Sequence, residues 1–121
     1  MARTQQIIHK GKTIFHMDFS NISSVHEINS VINEGINHIR KQPMGSVLTL
    51  TNISGMHFNS EIKDLFQIFI KGNKPFVKSG AVVGLSGLQQ LVYNGLMKIT
   101  GRDIKSFNSI TEAKDWLAMR N

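Results

Sequence analysis

The chain contains no cysteine and no long apolar run. The absence of cysteine excludes disulfide bonds, thiolate catalysis and cysteine-ligated metals. A helix that spans a membrane needs about 20 apolar residues in succession, and the runs here extend over only a few. No apolar segment of the kind found in a signal peptide follows Arg3. We therefore expect a soluble, cytoplasmic protein.

One domain is expected to cover residues 1–121, because a chain of this length falls in the range of a single domain. Acidic residues are scarce, with 8 Asp and Glu against 14 Lys and Arg and a formal charge of +6. This excess is compatible with an anionic partner. No nucleic-acid partner is predicted, because no helix carries a stripe of Arg and Lys with interleaved aromatic residues.

Strand and helix signals alternate along the chain. Two strands on either side of Gly11-Lys12 predict a hairpin, and Ser24 with Glu27 forms a capping box that opens the first helix. Further strands are predicted at 46–51, 76–83 and 104–107, and further helices at 60–71, 88–99 and from 109 onward. This order, ββαβαβαβα, predicts an α/β domain whose sheet is mostly parallel.

The polar residues of the strands indicate how the two faces of the sheet differ. Thr49 and Thr51 alternate with leucines, and Lys78 lies in the middle of a strand. A sheet covered by helices on both faces has more continuous apolar strands. We therefore expect the helices mainly on one face and the other face partly solvated.

The C-terminal stretch supports a resemblance to a known family. The residues on which the resemblance depends are Phe76 to Gly84, Gly87-Leu88, Ile99 to Arg102, Phe107, and Glu112 to Leu117. This pattern resembles the SpoIIAA-like family of small bacterial proteins, which have the STAS fold and are similar to CRAL-TRIO lipid carriers. The resemblance implies a five-stranded mixed sheet with helices on one side, and a regulatory, partner-binding or lipid-binding role.

The loop from Asn52 to Ser60 follows a parallel strand, where ligands of α/β sheets favour binding. In anti-sigma-factor antagonists, a serine of the equivalent loop is phosphorylated at a helix N-terminus. The resemblance places Asn59 and Ser60 near that position, and Ser54 lies in the same loop. This makes the three residues a candidate phosphorylation or anion site. The alternative is that Asn59 or Ser60 only caps the helix.

The helix after this loop has more apolar residues than one buried stripe requires. With the loop before it, the surplus comprises Met56, Phe58, Ile62, Leu65, Phe66, Ile68, Phe69 and Ile70. Three alternatives remain open: burial on several sides, an interface with a partner or in a homodimer, and a pocket for a lipid or other apolar ligand.

Two weaker candidates concern anions. The loop with Gly84, Ser86 and Gly87 joins a strand to a helix N-terminus, where free amides hold anions. It lacks the residues of a P-loop, and its glycines also suit tight backbone geometry.

Six cations follow helix C-termini and predict a basic edge: Arg40, Lys41, Lys71, Lys74, Lys98 and Arg102. The helix dipole explains this placement, and docking to an anionic membrane surface or an acidic protein is the alternative.

The histidines do not predict a metal site. His9, His16 and Asp18 share a face of the hairpin at staggered levels, and no cofactor motif is present. A hydrolase that uses His57 with Ser54 or Ser60 lacks an orienting acid.

The expected function is therefore a non-enzymatic binding or regulatory module that acts through protein contacts, as a homodimer or with another protein. The alternative is a carrier or sensor of a lipid or other apolar molecule.

Overall fold

The structure is a computed structural model that describes residues 3–120, with the side chain of Leu88 excepted. Its strands are Thr4–His9 (β1), Lys12–Asp18 (β2), Val47–Asn52 (β3), Val77–Val83 (β4) and Lys105–Phe107 (β5). Its helices are Val25–Ile39 (α1), Ser60–Asn73 (α2), Leu88–Thr100 (α3) and Ile110–Ala118 (α4). The predicted order of elements is confirmed.

The five strands form one mixed sheet in which spatial order follows chain order, β1-β2-β3-β4-β5. β1 pairs with β2 antiparallel, and all later pairs are parallel. Each parallel pair is joined by a helix, as parallel neighbours require. The α/β class and the mixed, mostly parallel sheet are thus confirmed.

The hairpin turn lies one residue earlier than the sequence pattern indicated. Lys10 and Gly11 have φ of 50° and 80°, and His9 pairs with Lys12 across them. Two positive φ values in succession define the type I′ turn, whose twist matches that of the flanking strands. The prediction had centred the turn on Gly11-Lys12. The twist of the strands favours the earlier position, because glycine then takes the second of the two positive-φ places.

Helices cover both faces of the sheet, and each face has its own core. α1 and α2 pack on the face that presents Phe15 and Met17 of β2. α4 packs alone on the opposite face, where Ala113 and Leu117 meet a layer of strand residues, Ile14, Leu48, Leu50, Ala81 and Val83. α3 lies beside α2, so helices lie mainly on one face, as expected. The resemblance also implied helices on one side only, which is wrong, because α4 covers the opposite face.

The threonines of β3 do not face solvent, contrary to the expectation. Thr49 is only 5 % exposed. It lies with Thr51 under α2 and α3, on the wall of a cleft. Lys78 is exposed as expected. The alternation with Leu48 and Leu50 arises because the leucines contact α4 and the threonines face the cleft.

α2 is longer than predicted and runs through Gly72 to Asn73. Arg40, which follows α1, donates from Nη2 to the carbonyl of Phe69 at 3.3 Å and from Nε to Oδ1 of Asn73 at 3.1 Å. These bonds join the end of α1 to the C-terminal part of α2. A side chain at position 72 would collide with the guanidinium of Arg40, so the glycine permits this contact.

Candidate functional site

A half-enclosed cleft of about 90 Å³ lies between the sheet and α3. α3 lies beside α2, and side chains of both helices, of β3 and of β4 enclose the cleft. Its wall is mostly apolar, with contributions from α2 (Phe66, Phe69, Ile70), α3 (Val92, Tyr93, Leu96, Met97), and the segment after β3 (Ile53, Met56, Phe58). A concave, mostly apolar recess with a few polar groups is the usual form of a small-molecule site, so this space is a candidate binding site.

A few polar side chains interrupt the apolar wall. They are Thr49, Thr51, Asn73, Gln89 and Arg102. Gln89 donates from Nε2 to the carbonyl of Met56 at 3.4 Å, which ties the start of α3 to the loop after β3. Tyr93 also lines the cleft, and burial followed by the nearby charge of Asp103 raises the pKa of its phenol. The phenol is therefore protonated and able to donate a hydrogen bond at neutral pH.

Arg102 is the only charged side chain among the described residues of the wall. Its Nη1 donates to the carbonyl of Ile70 at 2.7 Å, in the last turn of α2. Burial lowers the pKa of Arg102, because apolar surroundings disfavour the charged form. The guanidinium remains charged at neutral pH, since its ordinary pKa lies so far above it.

The apolar surplus around α2 divides into three groups. Ile62, Phe66 and Phe69 are buried, and the ring of Phe66 lies 5.0 Å from that of Phe19 in a T-shaped contact. Of the remaining predicted residues, Met56, Phe58 and Ile70 join Phe66 and Phe69 in the wall of the cleft. Leu65 packs against the core.

Ile68 forms the third group, because it is 72 % exposed. The predicted apolar residues are thus divided among the core, the cleft wall and the exposed surface. Five of them lie together in the cleft wall.

The residues predicted as a phosphorylation or anion site do not form one cluster. Asn59 caps α2, with its Oδ1 accepting from the amide of Ile62 at 2.9 Å. Ser60 is the first residue of α2 and is exposed. Ser54 donates its amide to Oδ1 of Asn52 at 3.0 Å and packs against Gly84.

The glycine loop before α3 is held by its own backbone. The amides of Gln89 and Gln90 donate to the carbonyls of Ser86 and Gly87 at 3.0 and 3.1 Å. A bound anion would need these same donors. Gly84 and Gly87 have φ of 98° and 51°, values that favour glycine.

The predicted basic edge is partly used by the fold. Arg40 and Arg102 both donate to carbonyls in the last turn of α2. Nζ of Lys74 lies beside Gly101, at the end of α3, where the helix dipole favours a cation. Lys41, Lys71 and Lys98 are exposed.

Sequence reasoning missed much of the cleft. Arg102 was predicted only as part of an exposed edge, and Thr49, Tyr93, Met97 and Gln89 were not identified as site residues. The regular alternation of threonine and leucine in β3 was the available signal, because it marked one face of the sheet as half polar. The pattern could not indicate which side chains of α3 meet that face.

Among residues 3–120, no group of three His, Asp or Glu side chains could hold a metal ion. Within the same part of the chain, no helix has the length and apolar character needed to cross a membrane. Comparison with known proteins gave no match to a family model, a curated protein or a solved structure. The resemblance to the SpoIIAA-like family therefore stays a prediction.

Proposed function

We propose that this chain is a non-enzymatic STAS-like binding module that holds a small apolar molecule, or the apolar end of a larger one, in the cleft between α3 and the sheet. The observation that carries the proposal is a half-enclosed apolar space that the side chains of the protein do not fill. Apolar surface of the cleft that is open to water contributes about 25 cal/mol per Å² when a ligand covers it. Binding of an apolar group in the cleft is therefore favourable.

The size of the cleft limits the ligand. Its volume of about 90 Å³ is roughly three times the ~30 Å³ that one water molecule takes in the liquid. Pockets for drug-sized ligands start at about 300 Å³. The cleft therefore suits a short chain or a small branched group, and its open side allows the rest of a longer molecule to extend into solvent.

A series of n-alkanols from butanol to octanol tests the proposal. Each methylene group buried in the cleft contributes about 0.8 kcal/mol, so affinity should rise about fourfold per carbon until the cleft is full. Nuclear magnetic resonance titrations should give saturable shifts for the methyl groups of Ile70, Val92 and Leu96. Shifts that do not saturate, or that scatter over the surface, would contradict the proposal.

Filling the cleft from inside provides a second test. Val92 lines the cleft, whereas the preceding Leu91 is 70 % exposed. Val92→Phe should weaken hexan-1-ol binding about tenfold or more, because the ring displaces about two methylene groups of the ligand. Leu91→Phe is the matched control and should leave the affinity unchanged. Equal affinities for the two variants would argue against the cleft as the site.

Exposed apolar side chains of α2 and α3 favour a second function, the association of two copies of this chain. Ile68, Leu91 and Ile99 are 72 %, 70 % and 60 % exposed. Leu91 and Ile99 lie two turns apart on α3 with Gly95 between them, and the space above Gly95 is open. A helix of a second copy could therefore approach this stripe closely.

Native mass spectrometry tests the second function, with a dimer expected at micromolar concentration. Leu91→Glu should dissociate it, because it places a charge in the apolar contact. Met119→Glu is the control, since Met119 is 71 % exposed at the end of α4, the helix that covers the other face of the sheet. A monomer at every concentration would exclude self-association.

A further inference from the structure

The cation in the wall of the cleft has no acidic partner among the described residues. No carboxylate of residues 3–120 forms an ion pair with Arg102. A guanidinium has five N–H donors, and the bond from Nη1 to the carbonyl of Ile70 uses one of them. Arg102 is partly buried in a mostly apolar wall, where a counter-charge interacts more strongly than it does in bulk water. The site therefore favours a negative group.

A second donor reaches the same part of the wall. A methyl group on Gly80 of β4 would lie 3.0 Å from Oγ1 of Thr49 and 3.4 Å from Nη2 of Arg102. The hydroxyl and the guanidinium therefore both approach the one glycine of this strand, and Cγ1 of Ile104 lies 3.4 Å from the same point. A hydroxyl beside a guanidinium is a suitable pair of donors for an oxyanion.

Two further charged side chains lie near Arg102 but do not line the cleft. Nζ of Lys74 would lie 2.8 Å from a methyl group on Gly101. Asp103 is exposed, and its charge contributes to the raised pKa of the Tyr93 phenol. These two charges are opposite in sign, so Arg102 supplies the charge of the cleft wall.

We infer that the ligand is an amphipathic carboxylate, with its apolar tail among the side chains of α2 and α3 and its carboxylate on Arg102. This inference rests on the proposed function and specifies the class of ligand. A planar guanidinium binds a carboxylate through two parallel hydrogen bonds, which a hydroxyl or an amine cannot reproduce. The apolar wall and the single cation therefore favour a molecule that has both an apolar tail and a negatively charged end.

A purely structural role for Arg102 is the competing explanation. Arg40 shows what that role looks like, since it also donates to a carbonyl in the last turn of α2 but does not line the cleft. If the only role of Arg102 were its hydrogen bond to the end of α2, the protein would not distinguish a carboxylate from an alcohol of the same length. Arg40 therefore supplies a matched control.

The experiment compares hexanoate, hexan-1-ol and hexylammonium binding to the full chain at neutral pH by nuclear magnetic resonance titration. Hexanoate should bind about tenfold more tightly than hexan-1-ol, since hydrogen bonds to charged groups exceed neutral ones by about that factor. Hexylammonium should bind more weakly than either. Absence of binding for all three would overturn the proposed function as well. Equal binding of hexanoate and hexan-1-ol would overturn this inference and leave the proposed function standing.

Two variants locate the anion. Arg102→Met should abolish the preference for hexanoate and leave hexan-1-ol binding in place, whereas Arg40→Met should retain the preference. Arg102→Lys serves if the methionine variant does not fold, because lysine keeps a cation near the carbonyl of Ile70. It should retain only part of the preference, since an ammonium cannot make the paired bonds. A full preference in either Arg102 variant would overturn the inference.

Discussion

Arg40 and Arg102 perform the same local task in different surroundings. Both donate to carbonyls in the last turn of α2, Arg40 to Phe69 at 3.3 Å and Arg102 to Ile70 at 2.7 Å. Sequence reasoning grouped them because both follow helix C-termini. What separates them is the tertiary neighbourhood, since only Arg102 is directed into the apolar cleft. A linear pattern does not contain that information.

The glycines before α3 allow a prediction at the same scale. Gly84 has φ of 98°, and a methyl group there would lie 2.7 Å from Cα of Ser54. Gly87 has φ of 51° and open space around it. Gly84→Ala should therefore lower the free energy of unfolding by about 3 kcal/mol, from backbone strain together with collision. Gly87 has ψ of −125°, outside the left-handed helical region, so Gly87→Ala should cost about 2 kcal/mol from the strain alone.

Urea denaturation of both variants measures the two costs. An equal loss in the two would mean that the contact between Gly84 and Ser54 relaxes freely. The comparison then reports how rigidly the loop before α3 is joined to the loop after β3.

At the scale of elements, α3 differs most from its sequence pattern. Leu91 and Ile99 belong to its apolar stripe, yet they are 70 % and 60 % exposed. Tyr93 and Met97 face inward with Leu96 instead. The pattern could not indicate which side of α3 faces the protein, and Leu91 and Ile99 are on its outer side. The same orientation brings Tyr93 and Met97 into the wall of the cleft, so one misjudged helix face hid both features.

α4 is fastened to the β1–β2 hairpin by polar contacts. Nε2 of His9 lies 2.6 Å from Oδ1 of Asp115, and Nζ of Lys10 lies 3.2 Å from the same oxygen. Nζ of Lys12 donates to the carbonyl of Arg120 at 2.9 Å. The hydrogen bonds from His9 and then Lys10 lower the pKa of Asp115 below its ordinary 3.8. The contact therefore makes stability depend on pH.

The sign of this dependence follows from the lowered pKa. The folded state holds the Asp115 proton less tightly than the unfolded state, so the contact stabilises the fold above the ordinary pKa of 3.8. That stability is lost as the pH falls through the lower folded pKa. Asp115→Asn should reduce the melting temperature at pH 6, and the difference from the unchanged protein should shrink steadily below pH 4.

A double-mutant cycle with His9→Ala isolates the pair from other titrating groups. The two substitutions should be non-additive at pH 6, because each removes the same hydrogen bond. In strong acid the coupling should vanish. Additive losses at pH 6 would mean that the two side chains stabilise the protein independently.

At the scale of the molecule, the sequence predicted the architecture better than the site. The parallel pairs follow from short strands that alternate with amphipathic helices, because few topologies connect such elements without crossing. The capping of α1 by Ser24 was also predicted and is confirmed by its bond to the amide of Glu27 at 3.3 Å. The cleft depends on how side chains of α2, α3 and the sheet meet, which no periodicity encodes.

The arrangement of α4 has a consequence for synthesis on the ribosome. Because strand order follows chain order, each new strand can join the edge left by the one before it. The opposite face gains its cover only when residues 110–118 have formed α4. A nascent chain that stops short of them leaves Ile14, Leu50 and Val83 uncovered. Such a chain exposes an apolar sheet face that is prone to aggregation. Its dependence on chaperones should therefore end abruptly once α4 emerges from the exit tunnel.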